Sequence, residues 1–176
     1  MKDWIVRQAK QPRSGWAQVL VLIPAAAIFP FLLPWGMMVL GRKIDGWLGI
    51  AALSLPPVNA ILGGILIVVG LPLALWTIYK QLTRGHGTPV PIVATQKLII
   101  EPPYTLCRNP MVLGTLMAYL GLAVIIGSPG AALVVALFGA LLLFYVIRVE
   151  EQEMLERFGA DYEAYRKRTP FLIPRL

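Results

Sequence analysis

From Ala17 to Leu40 the chain carries no charged side chain, a run long enough, at about 1.5 Å per residue, to cross a hydrocarbon layer of about 30 Å. No other feature limits the fold as strongly, because backbone inside lipid must satisfy its own hydrogen bonds, and an unbroken apolar run does so as a helix. Pro24, Pro30 and Pro34 interrupt the run, which predicts a kinked helix. A second charge-free stretch, Trp47 to Tyr79, is too long for one upright helix. Pro56-Pro57 divides it into a short interfacial piece and a span from about Val58 to Tyr79. A third span covers about Met111 to Ile126 and a fourth Ala131 to Ile147. Only Gly127-Ser128-Pro129-Gly130 joins them, which is turn chemistry and predicts a tight antiparallel hairpin. With 57% hydrophobic and 14% charged residues, the chain has more apolar side chain than a small soluble core could hide. The expected fold is an all-α polytopic membrane protein with about four transmembrane helices plus interfacial and C-terminal helices.

The basic residues set the expected orientation. Lys2, Arg7, Lys10 and Arg13 precede the first span; Lys80, Arg84, Lys97 and Arg108 lie between the second and third; Arg148, Arg157, Arg166, Lys167, Arg168 and Arg175 follow the fourth. Only Arg42 and Lys43 fall on the other side. Fourteen against two places both termini in the cytoplasm of a cell inner membrane. The first span exceeds the apolar core of a signal peptide, so it is expected to remain as a span. The net charge of +7 clusters beside apolar segments rather than along an aromatic-interleaved stripe, which points to membrane lipids as partners and away from nucleic acid. The single Cys107 excludes an internal disulfide and a multi-cysteine zinc site, and reads as a small buried residue.

On this topology the unusual polar residues share one face of the membrane. The connector from Lys80 to Pro110 is long for a link between helices, and loops of that length are functional or disordered. It carries Gly85-His86-Gly87-Thr88-Pro89, then Pro103-Tyr104 and Arg108-Asn109-Pro110-Met111, followed by Leu113-Gly114. The tail carries Arg148, Glu150-Glu151, Leu155, Phe158-Gly159, Tyr162, Tyr165 and Ile173-Pro174, with Glu151, Leu155, Phe158 and Tyr162 near one face of a helix. This order of motifs, spanning about Thr83 to Pro174, resembles the isoprenylcysteine carboxyl methyltransferase and phospholipid methyltransferase superfamily of integral membrane enzymes. The resemblance divides the chain into a basic segment with two spans (1–79) and a methyltransferase-like region (80–176). It implies S-adenosylmethionine as cofactor and a lipophilic or lipid acceptor. It further implies a cofactor site drawn from Gly85, His86, Gly87, Tyr104, Arg108, Asn109, Pro110, Gly114, Glu150 and Glu151, with Arg108, Glu151 and His86 as the catalytic candidates.

The residue chemistry is compatible with that implication. Glutamates can accept hydrogen bonds from ribose or ammonium groups, Arg108 can pair with a carboxylate through two N–H groups, and the glycines let backbone come close. Displacement at a methyl carbon depends mostly on alignment and needs no metal. A prenylcysteine-type carboxylate acceptor would want a cation such as Arg108 or Arg148, whereas a phospholipid amine would want a base, with His86 or a glutamate available; the sequence supplies both sets, and a thiol or hydroxyl acceptor also stays open. Simpler roles exist for each residue: a solvated helix end for the glutamates, a head-group anchor for Arg108, a plain loop residue for His86. Two positions depart from the family pattern. Asn109 stands where a titratable histidine is common, and Val112 where a tyrosine is. They keep open a non-catalytic membrane scaffold or small-molecule binder of the same fold; a sterol-reductase-like NADPH enzyme is a more distant alternative.

Overall fold

The computed structural model describes residues 23–85 and 95–174, and all regular structure among them is helical. Helix α1 runs Ile23–Leu48, α2 is Val58–Lys80, α3 is Pro110–Ile125 and α4 is Pro129–Tyr145. Helix α5, Glu151–Arg168, continues α4 through a π-helical turn at Val146–Glu150. Three helical stretches are long and apolar enough to cross a membrane: Ile23–Leu48, Val58–Gly85 and the apolar part of Pro129–Arg168. Helix α3 is apolar but shorter. Large apolar side chains such as Trp35, Val68 and Leu141 stand 68%, 71% and 71% exposed, which suits a surface solvated by lipid tails. The chain is an integral membrane protein.

The prolines of the first span do less than their number suggests. Pro30 falls inside a π turn, Ile28–Leu32, where its missing N–H is absorbed by the wider ring, and Pro34 occupies the first turn of the α-segment that follows. The helix therefore continues to Leu48, so Arg42 and Lys43 lie on its last turns rather than in a loop. It stops at Gly49, whose φ of 66° is the left-handed cap that glycine adopts freely. No helix forms between Gly49 and Leu55, where an interfacial piece was expected. Instead the Leu53 N–H donates to Gly127 O (2.8 Å), and Asn59 Nδ2 donates to Leu53 O and Val124 O (2.8 and 2.7 Å), strapping this segment to the α3–α4 turn.

The chain divides into two compact units, one of them Ala27–Ala74 with Met111–Leu143. Its helices meet through small residues. A methyl placed on Gly70 would lie 2.5 Å from Gly114 O, and one on Gly114 would lie 2.5 Å from Gly70 O. Seven residues along, Gly63 and Gly121 stand in the same relation at 2.5 and 2.7 Å. The antiparallel α2 and α3 thus touch backbone to backbone at two heptad-spaced points, the close approach that drives helix association where lipid removes the hydrophobic advantage. Met37, Tyr119 and Val135 form the buried cluster of this unit, and the Tyr119 hydroxyl donates to Phe29 O. At the hairpin turn Ser128 caps α4 by accepting from Ala131 N–H (3.0 Å), while the buried Asp45 carboxylate accepts from the Ser128 hydroxyl and from Gly130 N–H (2.7 Å).

Candidate functional site

The second unit combines Leu75–Pro110 with Phe144–Leu176, and it holds most of the residues that the motifs single out. Two π turns shape it. Gln81–Gly85 extends α2 and Val146–Glu150 extends α4, each leaving the membrane-spanning run with one register shift before the polar residues begin. Such turns recur where a helix must aim side chains that an ideal 3.6-residue repeat would misplace. The apolar run of α4 ends near Ile147, so Glu150 and Glu151 stand beyond it.

Connector and tail are joined by two arginines that reach in opposite directions. Arg108, in the connector, donates from Nε and Nη2 to Glu151 Oε1 (2.9 and 2.6 Å) and from Nη1 to Arg166 O and Thr169 O (2.9 and 3.0 Å). Its guanidinium also lies 5.5 Å from the Phe171 ring centre, and its backbone N–H donates to Pro170 O at 2.8 Å. Both side chains of the pair are 12% exposed, so the ions are largely removed from water and Arg108 makes most of its hydrogen bonds within the protein. Arg157, in the tail, donates to Glu153 Oε1 (3.0 Å) and to Thr95 O in the connector. Sequence reasoning did not single out Arg157; its place four residues after Glu153 was the one visible signal.

Further contacts fasten the same seam. Asn109 Nδ2 donates to Phe171 O (3.0 Å) and the Tyr165 hydroxyl to Tyr104 O (2.7 Å). The histidine-to-asparagine departure therefore has a local explanation: this position holds the tail by an amide. Gly159 makes the geometry possible. Its φ of 50° and ψ of −123° break α5 where no residue with a side chain sits comfortably, so the single helical face expected for Glu151 through Tyr162 is interrupted there. Beyond the break Tyr162 and Tyr165 are buried, and burial with the nearby Glu151 carboxylate pushes the Tyr162 hydroxyl up to about 12.

The candidate residues do not all meet. His86 and Gly87 lie outside the described residues. Gly85 is buried, with its carbonyl accepting from Gln96 N–H (2.6 Å) and its α-carbon facing Thr95 and Ile99, so it closes the loop base by packing. Pro110 is buried at the first turn of α3, and Val112 is buried as the apolar residue it is. Gly114, expected among the cofactor contacts, packs in the helix seam against Gly70 and Ala74, with no room left on that side of its backbone. Arg108, expected to offer a fork to a carboxylate, here spends four of its five N–H groups on Glu151 and on tail carbonyls. Cys107 is wholly buried and burial raises its thiol pKa, the state of an inert cysteine.

Glu150 differs from its neighbour. Among the described residues no cation and no hydrogen-bond donor meets its carboxylate, and burial together with the Glu153 carboxylate pushes it up to about 6. It lies near Tyr104, whose hydroxyl neighbours the Gln81 side chain and is made harder to ionise chiefly by burial. The Gln81 Oε1 atom is itself buried with no partner. An acidic group and an acceptor left unpaired in one polar cluster suit a ligand that brings positive charge and N–H or O–H donors. Elsewhere in the unit, an open groove of about 260 Å³ is lined by Thr83, Arg84, Lys97, Ile99 and Glu101, with Lys80 on Glu101 at 2.6 Å. Lys97 thus lies in that groove and not in the Arg108 clamp. Among the described residues no three His, Cys, Asp or Glu side chains are grouped to hold a metal ion.

Comparison with known proteins agrees with the order of the motifs. Methanethiol S-methyltransferase 2 of Bradyrhizobium diazoefficiens is 33% identical over 73 residues, 42% of this chain and 27% of that protein. The cobalt-zinc-cadmium resistance protein CzcN of Cupriavidus metallidurans is 37% identical over 79 residues, 45% of this chain and 36% of its own length. The nickel-cobalt-cadmium resistance protein NccN of Alcaligenes xylosoxydans xylosoxydans is 34% identical over 80 residues, 46% of this chain and 37% of its own. The chain spans about a third of the length of these curated relatives. The phospholipid methyltransferase family matches residues 58–161, more than half of the chain, from the start of α2 to the tail beyond the Gly159 break, and the protein belongs to that family.

Proposed function

We propose that the protein transfers a methyl group from S-adenosylmethionine to a lipophilic acceptor at the cytoplasmic face of the cell inner membrane, with both termini in the cytoplasm. The observation that carries this reading is the contrast between adjacent glutamates: Glu151 is neutralised by Arg108, while Glu150, near Tyr104, is half-buried and meets no cation among the described residues, with the orphaned Gln81 oxygen on another neighbour of Tyr104. The residues fit the donor. Glu150, Gln81 and Tyr104 would face its cationic and hydrogen-bonding groups, and the Arg108–Glu151 clamp would hold connector and tail so that those residues keep their places. S-adenosylmethionine would supply a methyl group made electrophilic by a sulfonium.

The chain's own part is then to bind, orient and exclude water, since in-line displacement gains most from alignment. Of the two acceptors that the motifs imply, a phospholipid amine is favoured over a prenylcysteine-type carboxylate. Arg108 is occupied, and Arg148 is exposed with its guanidinium 5.3 Å from the Phe144 ring centre, whereas a carboxylate near neutrality is at hand to take a proton from an ammonium. Titration of the purified protein in nanodiscs with S-adenosylmethionine and with NADPH tests the reading. Micromolar binding of the first alone is expected, followed by transfer of labelled methyl into a lipid extract. Binding of NADPH alone would make it a reductase, and binding of neither a scaffold.

A further inference from the structure

Gln81 has no place in the motif set, yet the structure gives it the one buried side-chain polar atom left without a partner among the described residues. A buried amide oxygen with no donor loses the hydration it had in water and gains nothing in return, and folded proteins keep few of them. Its position makes the exception informative. Gln81 opens the π turn at the end of α2, its side chain neighbours the Tyr104 hydroxyl, and Tyr104 is also near Glu150, which no cation meets among the described residues. Three elements, the α2 extension, the connector and the α4 extension, thus contribute one polar group each to a single cluster. The charged groups facing it are Glu150 and, next to that, Glu153, both acidic; the nearby arginines are engaged, Arg108 with Glu151 and Arg157 with Glu153 and Thr95.

We propose that Gln81 Oε1 and the Glu150 carboxylate form the accepting edge of a subsite for an alkylammonium group, with Gln81 as a ligand-binding residue. This deepens the methyl-transfer reading and rests on it. Two molecules could bring that group, the methyl donor through its amino acid end or a lipid amine through its head group, and both present N–H donors with positive charge, which two unpaired acceptors suit.

The test uses the whole protein in nanodiscs, with Gln81→Leu and Gln81→Glu beside wild type, reading binding and thermal stability. Gln81→Leu removes the orphan, so its melting temperature is expected to equal or exceed wild type while affinity for S-adenosylmethionine falls at least tenfold. Gln81→Glu keeps an acceptor and is expected to retain binding within about threefold. Methylthioadenosine, which lacks the ammonium, should bind wild type and Gln81→Leu alike if the donor is the source. If the lipid is the source, S-adenosylmethionine affinity stays unchanged and Gln81→Leu instead loses wild type's preference for ethanolamine over choline head groups. Equal behaviour of all three proteins in both arms overturns the subsite; so does loss of binding in Gln81→Glu as well as Gln81→Leu, which would mean that the amide N–H faces the ligand. Wild type that binds no S-adenosylmethionine refutes the methyl-transfer reading itself, a separate result.

Discussion

The α2–α3 seam and the connector–tail seam solve one problem with opposite materials. In the first, Gly63, Gly70, Gly114 and Gly121 bring two backbones together by having nothing between them. In the second, Arg108 and Arg157 reach across with long charged side chains and end on carboxylates and carbonyls. The difference follows from solvent. Inside lipid an unpaired charge is costly and close packing is the main attraction available; beyond the apolar runs, charge-assisted hydrogen bonds hold irregular chain that no helix periodicity could align. Shape fixes the first seam, whereas the second depends on a few long side chains, each of which a single substitution removes.

Substitutions can break this contrast in order of expected effect. Arg108→Ala leaves Glu151 as a largely buried lone anion and strips the Arg166 and Thr169 carbonyls of donors; roughly 3–5 kcal/mol of local stability should go, seen as loss of amide exchange protection in the tail with the α2–α3 seam still protected. A global collapse would show that the two seams are not separable. Gly114→Ala sets a methyl against Gly70 O and should cost about 1–3 kcal/mol of unfolding free energy in detergent, independent of salt. Gly159→Ala forces a side chain into a backbone region reserved for glycine and should cost about 1–3 kcal/mol, again in the tail.

The acid response sharpens the comparison further. Because the Glu150 pKa is raised in the folded protein to about 6 from an ordinary 4.5, the folded state holds its proton longer than the unfolded chain does. Its stability contribution is therefore best below 4.5 and falls as pH rises through 6, a change of order 1–2 kcal/mol that Glu150→Gln should abolish. Affinity for a cationic ligand should run the other way, rising through pH 6 as the carboxylate ionises, and Glu150→Gln should be weak and flat. Lys97→Ala, in the open groove, should change stability by less than about 0.5 kcal/mol and leave cofactor affinity near wild type.

The helices were legible because charge-free length is a direct consequence of membrane thickness: the expected ends at Val58, Tyr79, Met111 and Ile147 fall within a few residues of helix or apolar-run ends in the structure. The proximity of tail and connector could be inferred from motif order. What lay out of reach was register and partnership. The π turns at Gln81–Gly85 and Val146–Glu150 leave no mark in composition, the break at Gly159 upsets any face drawn with an unbroken period, and nothing local says that Arg108 is matched by a glutamate 43 residues away rather than by a ligand. Gly114 adds a packing role that its motif does not announce, since the structure sets it against Gly70 in the helix seam.

The Arg108 clamp also sets a schedule. Its guanidinium pairs with Glu151, but it also needs carbonyls at 166 and 169, and its backbone amide one at 170, so the clamp is complete only once that stretch has been made. The last turn of α5 and the few residues after it therefore act as a latch, the final piece of chain to join connector and tail.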